Sequence, residues 1–184
     1  MNTHSRLLGL PIAVTAMLAG TLAVAGPAQA ADVTVTDFAS LQSALSSCTD
    51  GDVVTVGADI SNTGAIVTTG CTLTLDLGDK NVSVASVVLG LGTTLTIRGG
   101  ASKSGSLTAI ASAFQGAGIR TSGAALVIDS GRVTASGSAD PEGRGLPGAA
   151  GIGGGSAGFG PTSAGSVTIN GGTVSATAGA YSPA

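Results

Sequence analysis

The amino-acid sequence predicts an all-β solenoid of about four rungs, with one amphipathic helix that caps the first rung. Short segments in which apolar and polar residues alternate recur in the same order along most of the chain, as stacked strands require. The composition agrees, because 43% of the residues are hydrophobic, only 2% are aromatic and 31 are glycine. Such a chain suits a narrow interior of Leu, Ile, Val and Ala joined by glycine-rich turns.

The repeating unit contains three short strands. One strand reads TLTLDL (72–77), TLTIRG (94–99), ALVIDS (125–130) and SVTING (166–171) in successive copies. The next reads NVSV (81–84), SLTA (106–109), RVTA (132–135) and TVSA (173–176), and a short apolar piece precedes each pair, at 65–67, 87–89, 117–119 and 150–152. Recurrence of one unit predicts that residues 61–178 form the rungs. One inward column is then Leu73, Leu95, Leu126 and Val167.

The segment 36–48 predicts a helix. Its apolar residues fall on one face at helical spacing: Phe38, Leu41, Ala44, Leu45 and Cys48. Thr36 or Asp37 can cap its start, and an acidic residue there suits the positive end of the helix dipole. Residues 31–60 are therefore expected to hold an N-terminal strand, this helix and a first strand, and residues 179–184 a short tail.

Residues 1–30 have the features of a secretory signal peptide. Arg6 precedes an apolar stretch over residues 7–25, and a Gly-Pro pair follows before the tripeptide AQA at 28–30. Small residues at both ends of this tripeptide suit signal peptidase, so cleavage is predicted at the Ala30–Ala31 bond. A retained membrane anchor is the alternative, since the apolar stretch is nearly long enough to span a bilayer. The sequence thus predicts a secreted or extracellular protein, cell-wall associated as one option, without a stable membrane anchor.

Charge and composition exclude several functions. Loss of Arg6 with the leader leaves six basic against ten acidic residues, a net charge of about −4. This charge argues against nucleic acid and anionic membranes as partners, because both bind basic surfaces. His4, also in the leader, is the sole histidine, so the processed chain lacks Ser-His-Asp or Cys-His machinery and a His-based zinc site. No catalytic residue, metal ligand or cofactor is predicted.

Cys48 and Cys71 are the only cysteines, and in an exported protein they are expected to form a disulfide. This bond closes a loop of about two dozen residues and contributes roughly 3 kcal/mol in the chain-entropy model. A metal site or a nucleophilic thiol is the alternative, but two cysteines this far apart, without a histidine, favour neither.

The tract GAAGIGGGSAGFG at 148–160 contains Gly153, Gly155 and Gly158 in the order G-x-G-x-x-G. A dinucleotide-binding loop with this motif must follow a strand and open a helix, whose N-terminus holds the pyrophosphate. Here a phenylalanine, a glycine and a proline follow, and then another predicted strand. We interpret the tract as one loop of the solenoid, in which glycines occupy turns that need positive φ or a close approach of the backbone.

Several segments together resemble a known kind of protein: FASLQSAL, GDVVTVGADI (51–60), LTLDL (73–77) and AGIGGG…GSVTINGGTVSAT (151–177). They are similar to bacterial secreted or cell-surface proteins with right-handed parallel β-helix repeats of the pectin-lyase-like type, over nearly all of residues 33–178. The resemblance implies a single-stranded right-handed parallel β-helix in an extracellular setting, with the helix covering the first coil. It implies no activity, because this fold hosts both enzymes and binding proteins.

One column of the predicted stack carries charged and polar residues: Asp76, Arg98, Asp129 and Asn170. We expect a ladder of ion pairs and hydrogen bonds that fixes the register of the strands. The alternative is the acid/base group of a polysaccharide lyase, but a lyase needs several carboxylates that converge on one calcium ion. Calcium stays an alternative for the DGD turn at 50–52, which is otherwise a simple turn. Glycosidase chemistry is disfavoured, because an arginine between two aspartates keeps both ionised, whereas a general acid must hold a proton.

The outward positions of the predicted strands carry mostly hydroxyls. They are Thr74, Thr96 and Thr168 in one strand of each copy and Ser83, Thr108, Thr134 and Ser175 in the next. Such columns can contact a glycan or ice, although threonine is also a good strand former on a solvent face, and aromatic platforms for sugars are lacking. The sequence thus predicts a structural or adhesin-type module, with glycans or other cell-surface proteins as candidate partners. A carbohydrate-binding or polysaccharide-lyase-like β-helix protein is the alternative.

The last predicted rung has little to cover it. After TVSATAG (173–179) the sequence continues with AYSPA, which is too short to cap exposed strand edges and an apolar core. We therefore expect either a longer β-helix or self-association through the C-terminal rung.

Overall fold

Three parallel β-sheets, one two-stranded antiparallel sheet and one short helix make up the part of the chain that the computed structural model describes, namely residues 29–100, 104–112, 116–139, 148–154, 156–157, 160–161 and 163–180. The elements follow one another as β1 (Asp32–Val35), α1 (Phe38–Ser46), β2 (Asp52–Val56), β3 (Ile60–Ser61), β4 (Ala65–Val67), β5 (Thr72–Asp76), β6 (Asn81–Val84), β7 (Ser86–Val88), β8 (Thr94–Arg98), β9 (Ser106–Ile110), β10 (Ile119–Arg120), β11 (Ala125–Ile128), β12 (Arg132–Ser136), β13 (Ile152–Gly153), β14 (Ser156–Ala157), β15 (Gly160–Pro161), β16 (Ser166–Ile169) and β17 (Thr173–Thr177). The predicted leader, apart from its last two residues, lies outside the described residues.

The chain visits the three sheets in turn. Sheet A has the strand order β1-β2-β5-β8-β11-β16, sheet B the order β17-β12-β9-β6-β3, and sheet C the order β13-β10-β7-β4. Within sheets A, B and C, each strand pairs in parallel with the strand of an adjacent pass, and we call one pass through these three sheets a rung. The prediction of an all-β chain with stacked parallel strands is confirmed, and the arrangement is consistent with a parallel solenoid.

Period-two alternation builds the core. Successive residues of a strand point to opposite faces, and the predicted inward column is in register, since Leu95 pairs with Leu73 on one side and with Leu126 on the other. These three leucines are at most 2% exposed. On sheet B, Leu107 pairs in the same way with Val82 and Val133. The aliphatic columns therefore fill a continuous interior between the three sheets.

Helix α1 begins where the sequence provides a cap. The Asp37 carboxylate accepts a hydrogen bond from the Ser40 backbone N–H at 2.8 Å, and the Ser40 hydroxyl lies 3.3 Å from the Asp37 nitrogen, which completes a capping box. The hydrogen bonds from Ser40 hold the pKa of Asp37 below its ordinary value. Leu41 and Leu45 are fully buried and Phe38 is partly buried against the core, so the predicted apolar face covers the first rung.

A glutamine side chain closes one edge of that rung. Strand β4 is the edge strand of sheet C. The Gln42 Nε2 donates to the Val67 carbonyl at 3.0 Å, and its Oε1 accepts from the Val67 N–H at 3.0 Å. The amide thus takes the place of a neighbouring strand and satisfies backbone groups that would otherwise be open to pairing.

The predicted disulfide between Cys48 and Cys71 is present, with Cα atoms 6.2 Å apart. It joins the chain just after α1 to the residue before β5, and the Thr69 hydroxyl donates to the Ser46 carbonyl at 3.0 Å beside it. The helix is therefore fastened to the rungs that it covers. A disulfide is typical of proteins in an oxidising environment, and the described residues contain no helix long and apolar enough to cross a membrane.

Buried hydroxyls support the corner between sheets C and A. Thr68, Thr93 and Thr121 are at most 2% exposed. The Thr68 and Thr93 hydroxyls lie 3.1 Å apart, and the Thr93 hydroxyl donates to the Thr69 carbonyl at 2.8 Å. Because a buried hydroxyl without a partner would be costly, this pairing between rungs allows threonine to replace an aliphatic residue there.

The two ends of the stack differ. At the C-terminal end, β16 and β17 are the outermost strands of their sheets. Val167 and Ile169 point inward in register with Leu126 and Ile128, yet they are 41% and 55% exposed, whereas their partners are fully buried. Within the described residues, the apolar interior is therefore covered by α1 at one end and open at the other.

Candidate functional site

The four residues of the predicted ladder form two separate pairs. Arg98 lies beside Asp76 in register, and its Nε donates to the Asp76 Oδ2 at 2.9 Å. Farther along the stack, the Asn170 Nδ2 donates to the Asp129 Oδ1 at 2.7 Å. Between the pairs, the part of the chain described here shows no ion pair from Arg98 to Asp129. The contacts thus hold neighbouring strands together two at a time and do not create a continuous acid/base group.

The Asp76 carboxylate has a second structural task. Its Oδ1 accepts the backbone N–H of Gly78 at 2.9 Å, so both oxygens are engaged, one by the turn and one by Arg98. The Arg98 side chain is 46% exposed and that of Asp76 only 16%. Both oxygens of this carboxylate therefore have structural partners.

On sheet A the predicted hydroxyl column is interrupted. Thr74 pairs with Thr96, but Val127 stands between Thr96 and Thr168. Thr74 and Thr96 are half-buried, and Thr168 is exposed. This face therefore presents a mixed surface of hydroxyls and one aliphatic side chain.

On sheet B the hydroxyl column is continuous. Ser83 pairs with Thr108, Thr108 with Thr134, and Thr134 with Ser175. The structure adds Ser61, which pairs with Ser83 on the far side. Ser61 was not predicted from the sequence because β3 has only two residues, although the alternation of Ser61 with the buried Ile60 is a usable signal. This column, Ser61–Ser83–Thr108–Thr134–Ser175, is named the sheet B hydroxyl column below.

A polar chain runs beside that column. The Asn81 backbone N–H donates to the Asp59 Oδ1 at 2.8 Å, and the Ser106 hydroxyl donates to the Asn81 Oδ1 at 2.7 Å. Nearby, the Lys80 ammonium lies 2.8 Å from the Asp79 Oδ1. Their hydrogen bond holds the pKa of Asp79 below and that of Lys80 above the ordinary values. The surface is thus a hydrogen-bonding one with compensated charge.

Two shallow grooves meet at the N-terminal end of the hydroxyl column. One, of about 530 Å³, lies between the start of α1 and β3, and the other, of about 340 Å³, lies between β3, β6 and the end of β9. They share Ser61 and Asn62, and the half-exposed Ile110 lines the second groove. Hydroxyls, an amide and one apolar side chain in an open groove could contact a sugar through hydrogen bonds and one apolar face.

The structure gives the DGD turn a structural role. The Asp50 Oδ1 accepts the Thr72 N–H at 2.7 Å, and the Asp52 carboxylate accepts the N–H groups of Ala31 and Thr49 at 2.7 Å each. Within the described part of the chain, no group of three His, Cys, Asp or Glu side chains is placed to hold a metal ion. Both aspartates of the candidate calcium site are therefore used by backbone amides.

In the described residues of the glycine tract there is no helix of the kind that a dinucleotide site needs. Gly153 lies in β13, with φ +147°, while Gly155 and Gly158 fall outside the described residues. The described residues that follow form the antiparallel pair β14 and β15. The described part of the tract therefore offers a pyrophosphate no helix N-terminus.

Comparison with known proteins returns no match. No family model, no curated protein and no solved structure matches this chain.

Proposed function

We propose that this chain is an exported, right-handed parallel β-helix protein that serves as a rigid structural or adhesin-type module at the cell surface or outside the cell, and that it performs no catalysis. The observation that carries the proposal is the stack of three parallel sheets in register, capped at one end. A stack of this kind holds its outward side chains at fixed spacing, about 4.8 Å from rung to rung. Such a body acts as a spacer or a contact surface.

Features of the chain support the extracellular setting. The signal-like residues 1–30 precede a domain that contains a disulfide, and disulfides persist mainly in oxidising compartments. On the described surface, threonine and serine side chains outnumber charged side chains. The described carboxylates of the DGD turn and the ladder accept backbone or side-chain hydrogen bonds, which supports a role without acid/base catalysis.

The proposal is tested on protein exported from a bacterial host that expresses the full chain. A membrane-impermeant amine reagent applied to the unlysed culture, cells and medium together, should label Lys80, whose side chain is 35% exposed, and should spare a cytoplasmic control protein. The purified protein should release no unsaturated sugar from pectin or alginate, with or without calcium. Labelling only after lysis, or release of unsaturated product, would overturn the proposal, and the second result would support the lyase-like alternative.

A second candidate function is glycan binding on the sheet B hydroxyl column and the adjoining grooves. The continuous register from Ser61 to Ser175 favours it, because evenly spaced hydroxyls can bond successive sugar units. A glycan array tests it with the variant Thr108→Val, which keeps the shape and the strand propensity but removes a hydroxyl. The matched control is Thr96→Val on sheet A. Glycan binding that falls only in the first variant supports this function, and an array without hits excludes it.

A further inference from the structure

Asp52 is a buried carboxylate at the start of β2. It is 9% exposed, its Oδ1 accepts the Ala31 backbone N–H at 2.7 Å, and its Oδ2 accepts that of Thr49 at 2.7 Å. Among the described residues, no Lys or Arg forms an ion pair with it. Desolvation penalises a carboxylate that has only neutral donors, so a cation at this position would stabilise the folded state.

The nitrogen that contacts Asp52 belongs to the bond that the sequence predicts to be cut. Ala31 is held in place independently of what precedes it, because its carbonyl accepts the Val53 N–H at 3.0 Å and Asp32 begins the strand that pairs with β2. Ala30 and Ala31 are both exposed, so a peptidase can reach the bond between them. The Ala31 nitrogen therefore keeps its contact with Asp52 whether the bond is intact or broken.

We propose that the Ala30–Ala31 bond is the processing site of this protein and that its cleavage creates a salt bridge between the new N-terminal ammonium of Ala31 and the Asp52 carboxylate. Water, delivered by a signal peptidase, adds its hydroxyl to the Ala30 carbonyl carbon as the C–N bond breaks. The Ala31 nitrogen takes the remaining proton of the water and the proton that the new Ala30 acid gives up, which yields one carboxylate and one ammonium. A neutral amide donor thus becomes a charged donor at the same position, and a charge-assisted hydrogen bond is the stronger kind.

The salt bridge links maturation to the stability of the first rung. Before cleavage, Asp52 has two amide donors, and afterwards one of them carries a positive charge. Since β1 is the edge strand of sheet A and already pairs with β2, the salt bridge adds a charged contact to this pairing in the processed protein alone. The inference rests on export and processing and does not depend on the structural or glycan-binding role.

The test uses the full chain, processed during export. One extra alanine inserted between Ala30 and Ala31 leaves the AQA tripeptide intact, so the mature protein begins one residue earlier and Ala31 again offers an amide. Intact mass should show that the unmodified chain begins at Ala31 and the variant at the inserted alanine. The insertion should lower the Tm by about 2–4 °C. Asp52→Asn should lower it more in the chain that begins at Ala31 than in the chain with the insertion, because the charge pair exists only in the former.

A second measurement keeps the test decisive if Asp52→Asn does not fold. A salt bridge holds the N-terminal amine protonated, and a one-unit change in its pKa alters the fraction of reactive free amine about tenfold. The Ala31 amine should thus react with an acylating reagent at neutral pH about tenfold more slowly than the amine of the inserted alanine. Cleavage at another bond, equal reaction rates, or equal effects of Asp52→Asn in both chains would each overturn the proposal.

Discussion

At the scale of single residues, aspartate serves mainly to satisfy backbone amides. Five described aspartates accept a backbone N–H at or near a turn or a helix start: Asp37 from Ser40, Asp50 from Thr72, Asp52 from Ala31 and Thr49, Asp59 from Asn81, and Asp76 from Gly78. A chain with many short strands leaves many turn amides without a ladder partner, and buried or half-buried amides need acceptors. These five carboxylates therefore have structural roles at turns and at the helix start.

The helix cap gives a pH-dependent prediction. Asp37→Ala removes the acceptor for the Ser40 N–H and should lower the Tm by about 2–4 °C at neutral pH, whereas Asp37→Ser, which keeps a capping oxygen, should lower it less. Because the folded-state pKa of Asp37 lies below the ordinary value of 3.8, its contribution is complete above that value and is lost as the pH falls through the lowered one. The difference in Tm between wild type and Asp37→Ala should therefore shrink in acid. An equal difference at pH values well above and well below this range would contradict it.

Arg98 gives a second prediction at this scale. Arg98→Met should reduce the free energy of unfolding by at most about 1 kcal/mol, because the arginine is 46% exposed and pairs only with Asp76 among the described residues. Arg98→Asp should cost more, since it places a carboxylate between Asp76 and Asp129 in the same column. Thermal melts of both variants at low salt and at high salt measure the difference in Tm between them, which should shrink at high salt because ions screen the repulsion between the carboxylates. Equal Tm values at low salt would mean that the column has no energetic role.

At the scale of elements, the turns of adjacent rungs are in close backbone contact at some positions. Gly131, between β11 and β12, has φ +88°, and a Cβ there would lie 2.9 Å from the Gly105 carbonyl oxygen. Gly78, between β5 and β6, has φ +57°, and a Cβ there would meet nothing within 4 Å. Both positions are left-handed, but only one is crowded.

These turns form a matched pair for mutation. Gly78→Ala should lower the free energy of unfolding by about 1–2 kcal/mol, because a residue with a Cβ is strained in the left-handed conformation even where nothing crowds it. Gly131→Ala should cost at least about twice as much, since backbone of the neighbouring rung must also move. Urea unfolding of the two variants measures the difference. A larger loss at Gly78 would show that the rungs are not stacked as closely as described.

The disulfide acts between elements as well. Cys48→Ser should lower the free energy of unfolding by roughly 3 kcal/mol, because the bond restricts a loop with a sequence separation of 23 residues in the unfolded chain. Cys71→Ser and the double variant should lose about the same amount, since all three lose the same crosslink. Mass spectrometry of the native protein should detect no alkylated thiol. Ready alkylation, or a double variant as stable as the wild type, would refute the assignment.

The features that depend on local sequence, namely the inward columns and the helix, were predicted from the sequence. The columns through Leu95 and Leu107 follow from alternation alone, and the helix from Asp37 follows from its cap and spacing. The contacts of Gln42 with Val67 and of Asp52 with Ala31 could not be predicted, because they depend on how α1 and β1 pack against a rung more than 20 residues away. The predicted register also placed Arg98 between Asp76 and Asp129, one rung away on either side. It could not predict which aspartate forms the ion pair, because that depends on the conformation of the Arg98 side chain.

At the scale of the whole molecule, the two ends of the stack differ in what covers their strands. The N-terminal end has α1, the disulfide and the Gln42 amide over its strands. At the C-terminal end, Val167 and Ile169 are exposed, and the sequence from 148 to 180 contains no charged residue. Natural edge strands are usually protected by charge, proline or a covering element, and neither β16 nor β17 contains a charged residue or a proline.

We expect a second copy of this chain to cover the open end. Two such ends can meet across a two-fold axis, so that β16 or β17 pairs with its equivalent while Val167 and Ile169 of both copies enclose one apolar interior. The absence of charge between 148 and 180 means that like ends meet without repulsion.

The purified exported protein should therefore show at least twice the mass of one chain by light scattering at high concentration. Ile169→Lys or Val174→Lys should return it to a monomer, because each places an ammonium in the apolar contact, whereas the control Thr74→Lys, on the outer face of a middle rung, should not. A wild-type monomer whose β16 and β17 amides are nevertheless protected from hydrogen exchange would mean that another part of the same chain covers this end.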